Sequence, residues 1–323
     1  MALVFFDGFA QYNFDEYTMG QFGWSLNNAA LESNGPGAMH CLEILYDSRW
    51  AKLEIEPLSS LVFGFYKKDV ERLAGRQLRV WNTDGNYALL LRSGAGVYDV
   101  EIGTTKVGEL TLDPLNRYVH YEIKLIISST GTLQIRRNGI EVFRYDGDTS
   151  AAKDVQSIQW DGDGGPMELS GVHLMDSTGI QHNDFIGPTE IVFMDPSADG
   201  SVTDFVAQGG GANYTEINDA DTATYVESAT LNARDLYQLT NPSASASGVV
   251  AVGVITEHRQ LTAGAREIAA VVSSNGSAAT GPARSTVIDW TLHLNLFETS
   301  PDTGAAFTPA ELNSLQAGVE IVS

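Results

Sequence analysis

Apolar and polar residues alternate with a period of two along most of this 323-residue chain. The alternating runs are short, rich in β-branched and aromatic residues, and bounded by Gly, Asp and Asn. That pattern marks half-buried strands joined by tight turns. In the first half it predicts strands over Ala38–Leu45, Ala51–Ile55, Leu61–Tyr66, Gln77–Trp81, Tyr87–Arg92, Val97–Ile102, Asp154–Trp160 and Met167–Met175. Between these, Tyr118–Tyr145 reads as a three-strand antiparallel meander, with turns at Ser129-Thr130-Gly131 and Asn138-Gly139. Asn-Gly is the strongest two-residue hairpin signal because both positions accept positive φ.

Periodicity is lost over Asp176–Thr189, which places a domain boundary near Gly187-Pro188. The second half is expected to restart with a strand at Glu190–Met194, followed by a long Gly-rich loop, Asp195–Ala212. Strands then follow at Leu236–Leu239, Gly248–Glu257, Arg266–Ser274 and Ser285–Phe297. Near the end, Thr308 offers an N-cap, Pro309 suits the first helical position, and Glu311 completes a T-x-x-E capping box. Gly318 reads as that helix's stop and Val319–Val322 as a last strand. The predicted fold class is all-β: two antiparallel β-sandwich domains, residues 1–187 and 188–323, with a short C-terminal helix.

Composition narrows the class. Hydrophobic residues at 43% suffice for a core in each domain. No window offers the roughly 18 uninterrupted apolar residues of a membrane span. The start, MALVFFDGFAQY, lacks a basic leader and its apolar run stops at Asp7, so synthesis and assembly in a cytoplasm are expected. The single cysteine, Cys41, precludes an intrachain disulfide, argues against a Cys-based zinc site, and reads as a buried small hydrophobe. The net charge of −22 argues against nucleic acid and anionic membrane as partners. Residues 188–323 carry 16 acidic and 4 basic side chains, with no lysine after Lys153, which favours solubility and discourages edge-to-edge strand pairing.

The first half resembles the concanavalin A-like (laminin G-like) jelly-roll family. The resemblance is carried by the opening DGF followed by an isolated Trp24, by the meander YEIKLIISSTGTLQIRRNGIEVF, and by the final long strand near Met167–Met175. The whole chain also resembles virion proteins of tailed bacteriophages, in which a jelly roll opening V-F-x-D-G-F precedes a second β-domain. VFMDPSADGSVTDF, DLYQL, REIAAVVSS and the ending TSPDTGAAFTPAELNSLQAGVEIVS carry this second resemblance. It implies a structural component of the particle, at the tail, neck or capsid surface.

Candidate chemistry is sparse. Jelly-roll glycoside hydrolases set two carboxylates on one sheet face, in E-x-D-x-x-E or E-x-D-x-E strands. The nearest approaches here, Glu43 with Asp47 and Glu54 with Glu56, do not keep that spacing. Neither a G-x-S-x-G elbow nor paired histidine ligands occur, and Gly209-Gly210-Gly211 lacks the Lys-Ser/Thr of a phosphate loop. Asp146, Asp148 and Asp154, and separately Asp161 and Asp163, sit two or more apart on turns as in calcium loops, without the full pattern. Turn capping is the ordinary reading of these residues, and a surface calcium ion the functional one. Trp81 with Asp84, and Trp160 with Asp161 and Asp163, put a tryptophan at a strand end beside an acidic turn, as sugar platforms do; a core tryptophan beside a turn is the alternative.

Together these features predict a non-enzymatic virion protein without a cofactor, assembling as a homo-oligomer with other virion proteins. The alternative is a carbohydrate-binding or receptor-binding module of a phage tail, taking a host-surface glycan at the Trp81 and Trp160 loops.

Overall fold

The computed structural model describes residues 3–12, 16–37, 39–45, 49–94, 96–176, 179, 181–218, 222–242, 247–262 and 266–323. Asp47, weighed above with Glu43, lies outside them. The chain forms two compact units, Met1–Val192 and Phe193–Ser323.

Among the described residues the first unit contains strands β1 (Leu3–Asp7), β2 (Trp24–Asn27), β3 (Ala30–Glu32), β4 (Cys41–Ile44), β5 (Trp50–Leu58), β6 (Ser60–Asp69), β7 (Gly75–Asn82), β8 (Tyr87–Ser93), β9 (Val97–Ile102), β10 (Thr105–Thr111), β11 (Val119–Ile126), β12 (Gly131–Arg137), β13 (Ile140–Gly147), β14 (Val155–Asp161) and β15 (Met167–Asp176). One short helix, α1 (Glu16–Gln21), follows the opening strand. The strands form two antiparallel sheets, a jelly-roll-like sandwich. The first runs β13-β12-β11-β6-β15-β4-β3, with β1 also on β15, and the second runs β10-β9-β8-β7-β14-β5-β2. The predicted meander is β11-β12-β13, and Asn138 and Gly139 take positive φ of 48° and 80°.

Alternation sorts each strand into a core face and an outward face. Phe63, Phe65, Tyr121, Ile123 and Leu133 of the first sheet are buried against Leu53, Val80, Leu89, Ile158 and Trp160 of the second. The opening motif has a structural role. Asp7 is buried and accepts hydrogen bonds from the Phe9 backbone at 2.7 Å and from Trp24 Nε1 at 2.8 Å, so the DGF turn and the isolated tryptophan are tied together.

The core also holds a charge cluster that no motif announces. Lys67 Nζ, on β6, lies 3.0 Å from Asp69, 2.8 Å from the Tyr98 hydroxyl and 3.5 Å from Asp113. Burial disfavours its ammonium, but these partners outweigh it and raise its pKa above the ordinary lysine value. Because Lys67 also reaches Gln77 of β7 and Tyr98 of β9, the cluster links the two sheets through the interior.

Beyond β15 the chain runs back over the outward face of the first sheet. Ile186 and Gly187 donate backbone N–H groups to Glu122 Oε1 at 2.8 and 2.9 Å, and Phe185 lies 3.9 Å from the Arg136 guanidinium. Ile191 lies beside Gly8, where an added Cβ would stand 3.0 Å from the isoleucine side chain. The strand expected at Glu190–Met194 is therefore absent. Glu190 and Ile191 lie against the first unit without joining a sheet, and that unit extends to Val192. Beneath this strap, His120 and His173 are buried, their rings 5.7 Å apart. Burial lowers their pKa values to about 4 and about 3.

In the second unit the described strands are β16 (Pro196–Thr203), β17 (Val206–Ala207), β18 (Val226–Glu227), β19 (Arg234–Leu239), β20 (Val252–His258), β21 (Glu267–Ser274), β22 (Ser277–Thr280), β23 (Arg284–Ser285), β24 (Thr291–Phe297) and β25 (Gln316–Ile321). The main sheet runs β16-β19-β25-β21-β22, with β23 on β21; β20 pairs β24. Val254, Val272, Phe297 and Phe307 are at the centre of its core.

Three expectations are corrected here. The segment read as a Gly-rich loop contains β16, whose Ser, Asp and Gly residues are poor strand formers held by pairing with β19. The single strand expected over Ser285–Phe297 is broken, because Thr286 N–H bonds Arg266 and the Val287 carbonyl bonds Gln260 N–H. The terminal helix, α2 (Pro309–Leu312), has the predicted capping box, but Gly318 does not end it. Gly318 lies in β25, where an added Cβ would stand 1.8 Å from the Asp235 carbonyl oxygen, so glycine is needed there for close backbone approach.

Candidate functional site

The outward face of the second sheet gathers the polar and aromatic groups of the first unit into a connected set. Strands β7, β8 and β14 place them by register: Trp81 opposes Tyr87 and Ser157, and Arg79 opposes Leu90 and Gln159. Trp81 Nε1 donates to Gln159 Oε1 at 3.0 Å, and Gln159 Nε2 donates to Asp161 Oδ1 at 3.0 Å. Arg79 Nε donates to Asp161 Oδ2 at 2.6 Å, and a second Arg79 nitrogen contacts the other carboxylate oxygen. The Arg79 guanidinium also lies 5.5 Å from the Trp81 ring, within cation–π range. The Trp81 and Tyr87 rings are 4.7 Å apart and tilted by 53°, and both remain half-buried.

Each group is held by its neighbours. Burial pushes the Asp161 carboxyl up, and the Arg79 pair pulls it down without cancelling the rise. The indole cannot swing freely because its N–H is bonded to an amide that is itself bonded to Asp161. Gln159 and Asp161 are themselves buried, so they fix the indole, and a rigid aromatic face of this kind can stack on a sugar's C–H face.

The other candidate residues divide sharply. Asp84 shares the Trp81 turn: Asn82 Oδ1 accepts the Asp84 and Asn86 N–H groups at 3.1 and 3.0 Å, while the Asp84 carboxylate pairs with Lys153. Trp160 is not a platform. It points to the core, is fully buried, and packs 5.8 Å from Trp24 and 5.4 Å from Phe65. Trp160 opposes Leu78 and Ala51, both core residues, whereas Asp161, one position on, takes the opposite face. Asp163 stands in the turn after β14, 3.9 Å from Arg76.

The carboxylates considered for calcium have protein partners. Asp146 is bound by Arg144 at 2.6 Å and Thr132 at 2.9 Å, Asp148 caps Ser150 at 2.9 Å, and Asp161 is held by Arg79. Among the described residues no group of three or more His, Cys, Asp or Glu side chains converges to hold a metal. The Gly209–Gly211 amides are closed by Glu216, whose carboxylate accepts from Gly209 N at 2.8 Å and Gly211 N at 3.2 Å. Sequence reasoning missed Arg79, Tyr87 and Gln159. Arg79 and Gln159 each stand two residues from a singled-out tryptophan or aspartate, and only the cross-strand register shows that they face the same way.

No family model matches the chain, and no curated protein matches it. Among solved structures it is similar to a cellulose-induced protein, Cip1, at 10% identity and a TM-score of 0.43, covering 58% of this chain and all of that one. It is also similar to an endo-β-1,4-glucuronan lyase from the fungus Trichoderma reesei, at 10% identity and a TM-score of 0.39, covering 54% and 95%. Similarity to a sialidase, at 12% identity and a TM-score of 0.40, covers 55% of this chain but only 19% of that enzyme. These likenesses are of fold alone: β-sandwich, jelly-roll-like carbohydrate-active proteins. The expectation that the chain is not an enzyme is corrected to this extent: solved structures that share the fold include proteins titled as enzymes, a sialidase and a glucuronan lyase, so the fold is compatible with enzymatic function. The missing E-x-D-x-x-E spacing bears on one hydrolytic arrangement and leaves other chemistries compatible with the fold.

Proposed function

We propose that the first unit recognises carbohydrate on the outward face of its second sheet, with Trp81 and Tyr87 as the platform, held in place by Arg79 and by the buried Gln159 and Asp161. The observation that carries this reading is the chain of hydrogen bonds from the Trp81 indole through Gln159 to Asp161, which presents a half-buried aromatic in one orientation. Packing alone does not call for such a network on an outward face. A glycan array with the purified protein is expected to give binders that Trp81→Ala weakens about tenfold or more, with the circular dichroism spectrum unchanged. If Trp81→Ala binds every captured glycan as well as the parent does, the proposal is wrong. Product release from each captured polysaccharide, followed in the same samples, reports any turnover.

The setting we infer is a bacteriophage particle made in the host cytoplasm, with the glycan on the host surface and the second unit serving assembly with other virion proteins. This rests on the resemblance of the ending TSPDTGAAFTPAELNSLQAGVEIVS. It is also supported by exposed Leu261, Val287 and Ile288, which the Gln260 N–Val287 O bond of 2.7 Å brings together. Light scattering is expected to give a trimer or larger assembly, and mass spectrometry to find the chain in purified particles. A monomer absent from particles would falsify the setting while leaving the sugar site standing.

A further inference from the structure

The β7–β8 ladder carries three successive outward-facing pairs: Arg76 with Arg92, Arg79 with Leu90, and Trp81 with Tyr87. Opposed residues on neighbouring strands have Cβ atoms about 5 Å apart, where two like charges repel. The middle arginine is neutralised by Asp161, but the first pair is not compensated in the same way. Arg76 has only a distant contact with Asp163, at 3.9 Å. Arg92 is exposed and opposes Asp99, yet that carboxylate is engaged by Lys106 at 2.7 Å, and Arg92 makes no ion pair among the described residues. In a chain of net charge −22, two guanidiniums set face to face with so little anionic compensation are not a by-product of abundant basic residues.

We infer that Arg76 and Arg92 form an anion-reading subsite, so that the glycan taken along this ladder carries a negatively charged substituent, carboxylate or sulfate. This rests on the sugar-binding reading above. Two guanidiniums side by side offer forked N–H donors to a planar carboxylate or a tetrahedral sulfate, and binding either relieves their mutual repulsion. Five residues separate Arg76 from Trp81 and Tyr87 from Arg92, with a register shift in each step, so the Arg76–Arg92 pair stands roughly 13–17 Å from the aromatic pair. One end of an extended oligosaccharide stacks on Trp81 and Tyr87, its middle crosses the buried Leu90 side chain, and its charged substituent reaches the arginine pair.

Isothermal titration calorimetry with three probes of equal length decides the matter: an oligogalacturonate, a sulfated galacto-oligosaccharide and a neutral galacto-oligosaccharide. One of the two anionic probes is expected to bind about tenfold tighter than the neutral one, and which one identifies the group read. Arg92→Gln and Arg76→Gln are each expected to reduce that ratio about tenfold, and added salt to reduce it further. If the neutral probe binds equally well and Trp81→Ala abolishes its binding, the inference is overturned and the sugar site survives. If no probe binds and a broad glycan array is blank, both fail. Because both arginines lie on an outward face and have no packed role in the core, the variants remain foldable.

Discussion

Two short stretches of this chain look alike on paper: Trp81-Asn82-Thr83-Asp84 and Trp160-Asp161-Gly162-Asp163. Each sets a tryptophan at the end of a strand, followed by an acidic turn. In the folded protein Trp160 is fully buried between the sheets, and Trp81 stands half-exposed on the outward face. The difference is one of parity. On β14 the core positions are Ile158 and Trp160, and on β7 they are Leu78 and Val80, so Trp81 falls one step out of phase with the core. In the second stretch it is not the tryptophan but the aspartate beside it that takes the outward face, where it holds Arg79. A motif defined by residue types alone merges two sites that the pleat separates.

Substitutions at the two stretches should part company, and the largest effect belongs to the buried one. Trp160→Ala is expected to cost about 3–5 kcal/mol of stability by leaving a cavity among Trp24, Phe65 and Leu78, read as a lower urea midpoint. A cost below about 1 kcal/mol would contradict the core assignment.

Next in size is an acid effect on the first sheet, over whose outward face the chain beyond β15 runs. The neutral His120 and His173 have pKa values of about 4 and about 3 in the folded state, against about 6.5 when unfolded. Their contribution is fully present above about pH 6.5 and is lost as pH falls toward about 4, since only the unfolded chain takes up protons in that window. The loss is on the order of 3 kcal/mol for His120. His120→Phe is expected to flatten the urea midpoint between pH 6.5 and 4. An unchanged slope would mean that the ring is hydrated.

Trp81→Ala should do the reverse of Trp160→Ala, costing only about 1 kcal/mol of stability while removing glycan capture. Gln159→Leu removes the partner of the indole N–H and one of the donors to Asp161, which keeps its pair with Arg79, and should weaken capture less than Trp81→Ala does. The smallest effect is predicted for Asp84→Asn. Its ion pair with Lys153 is exposed, so stability should move by less than about 0.5 kcal/mol. A large loss of binding there would shift the site toward the turn.

Much of the strand content was legible in advance because period-two alternation reports burial directly. The meander, the Asn138-Gly139 turn and the Thr308 capping box were all read from neighbours in sequence. What escaped that reading depended on distant partners. β16 is a strand because β19 pairs with it, not because its Ser, Asp and Gly residues favour extension. Glu190 and Ile191, read as the start of a strand, instead lie beside Gly37 and Gly8 without joining a sheet.

The candidate site shows the same division. Its residue types, a tryptophan and acidic turns on an all-β chain, were readable from the sequence, as were the charge balance and the lack of a long apolar span. Which tryptophan faces outward, and that Arg79, Tyr87 and Gln159 join it, was decided by register between strands some eighty positions apart. Local propensity and alternation act over a few residues, whereas a sheet face is assembled from strands whose alignment is settled only when the whole core packs.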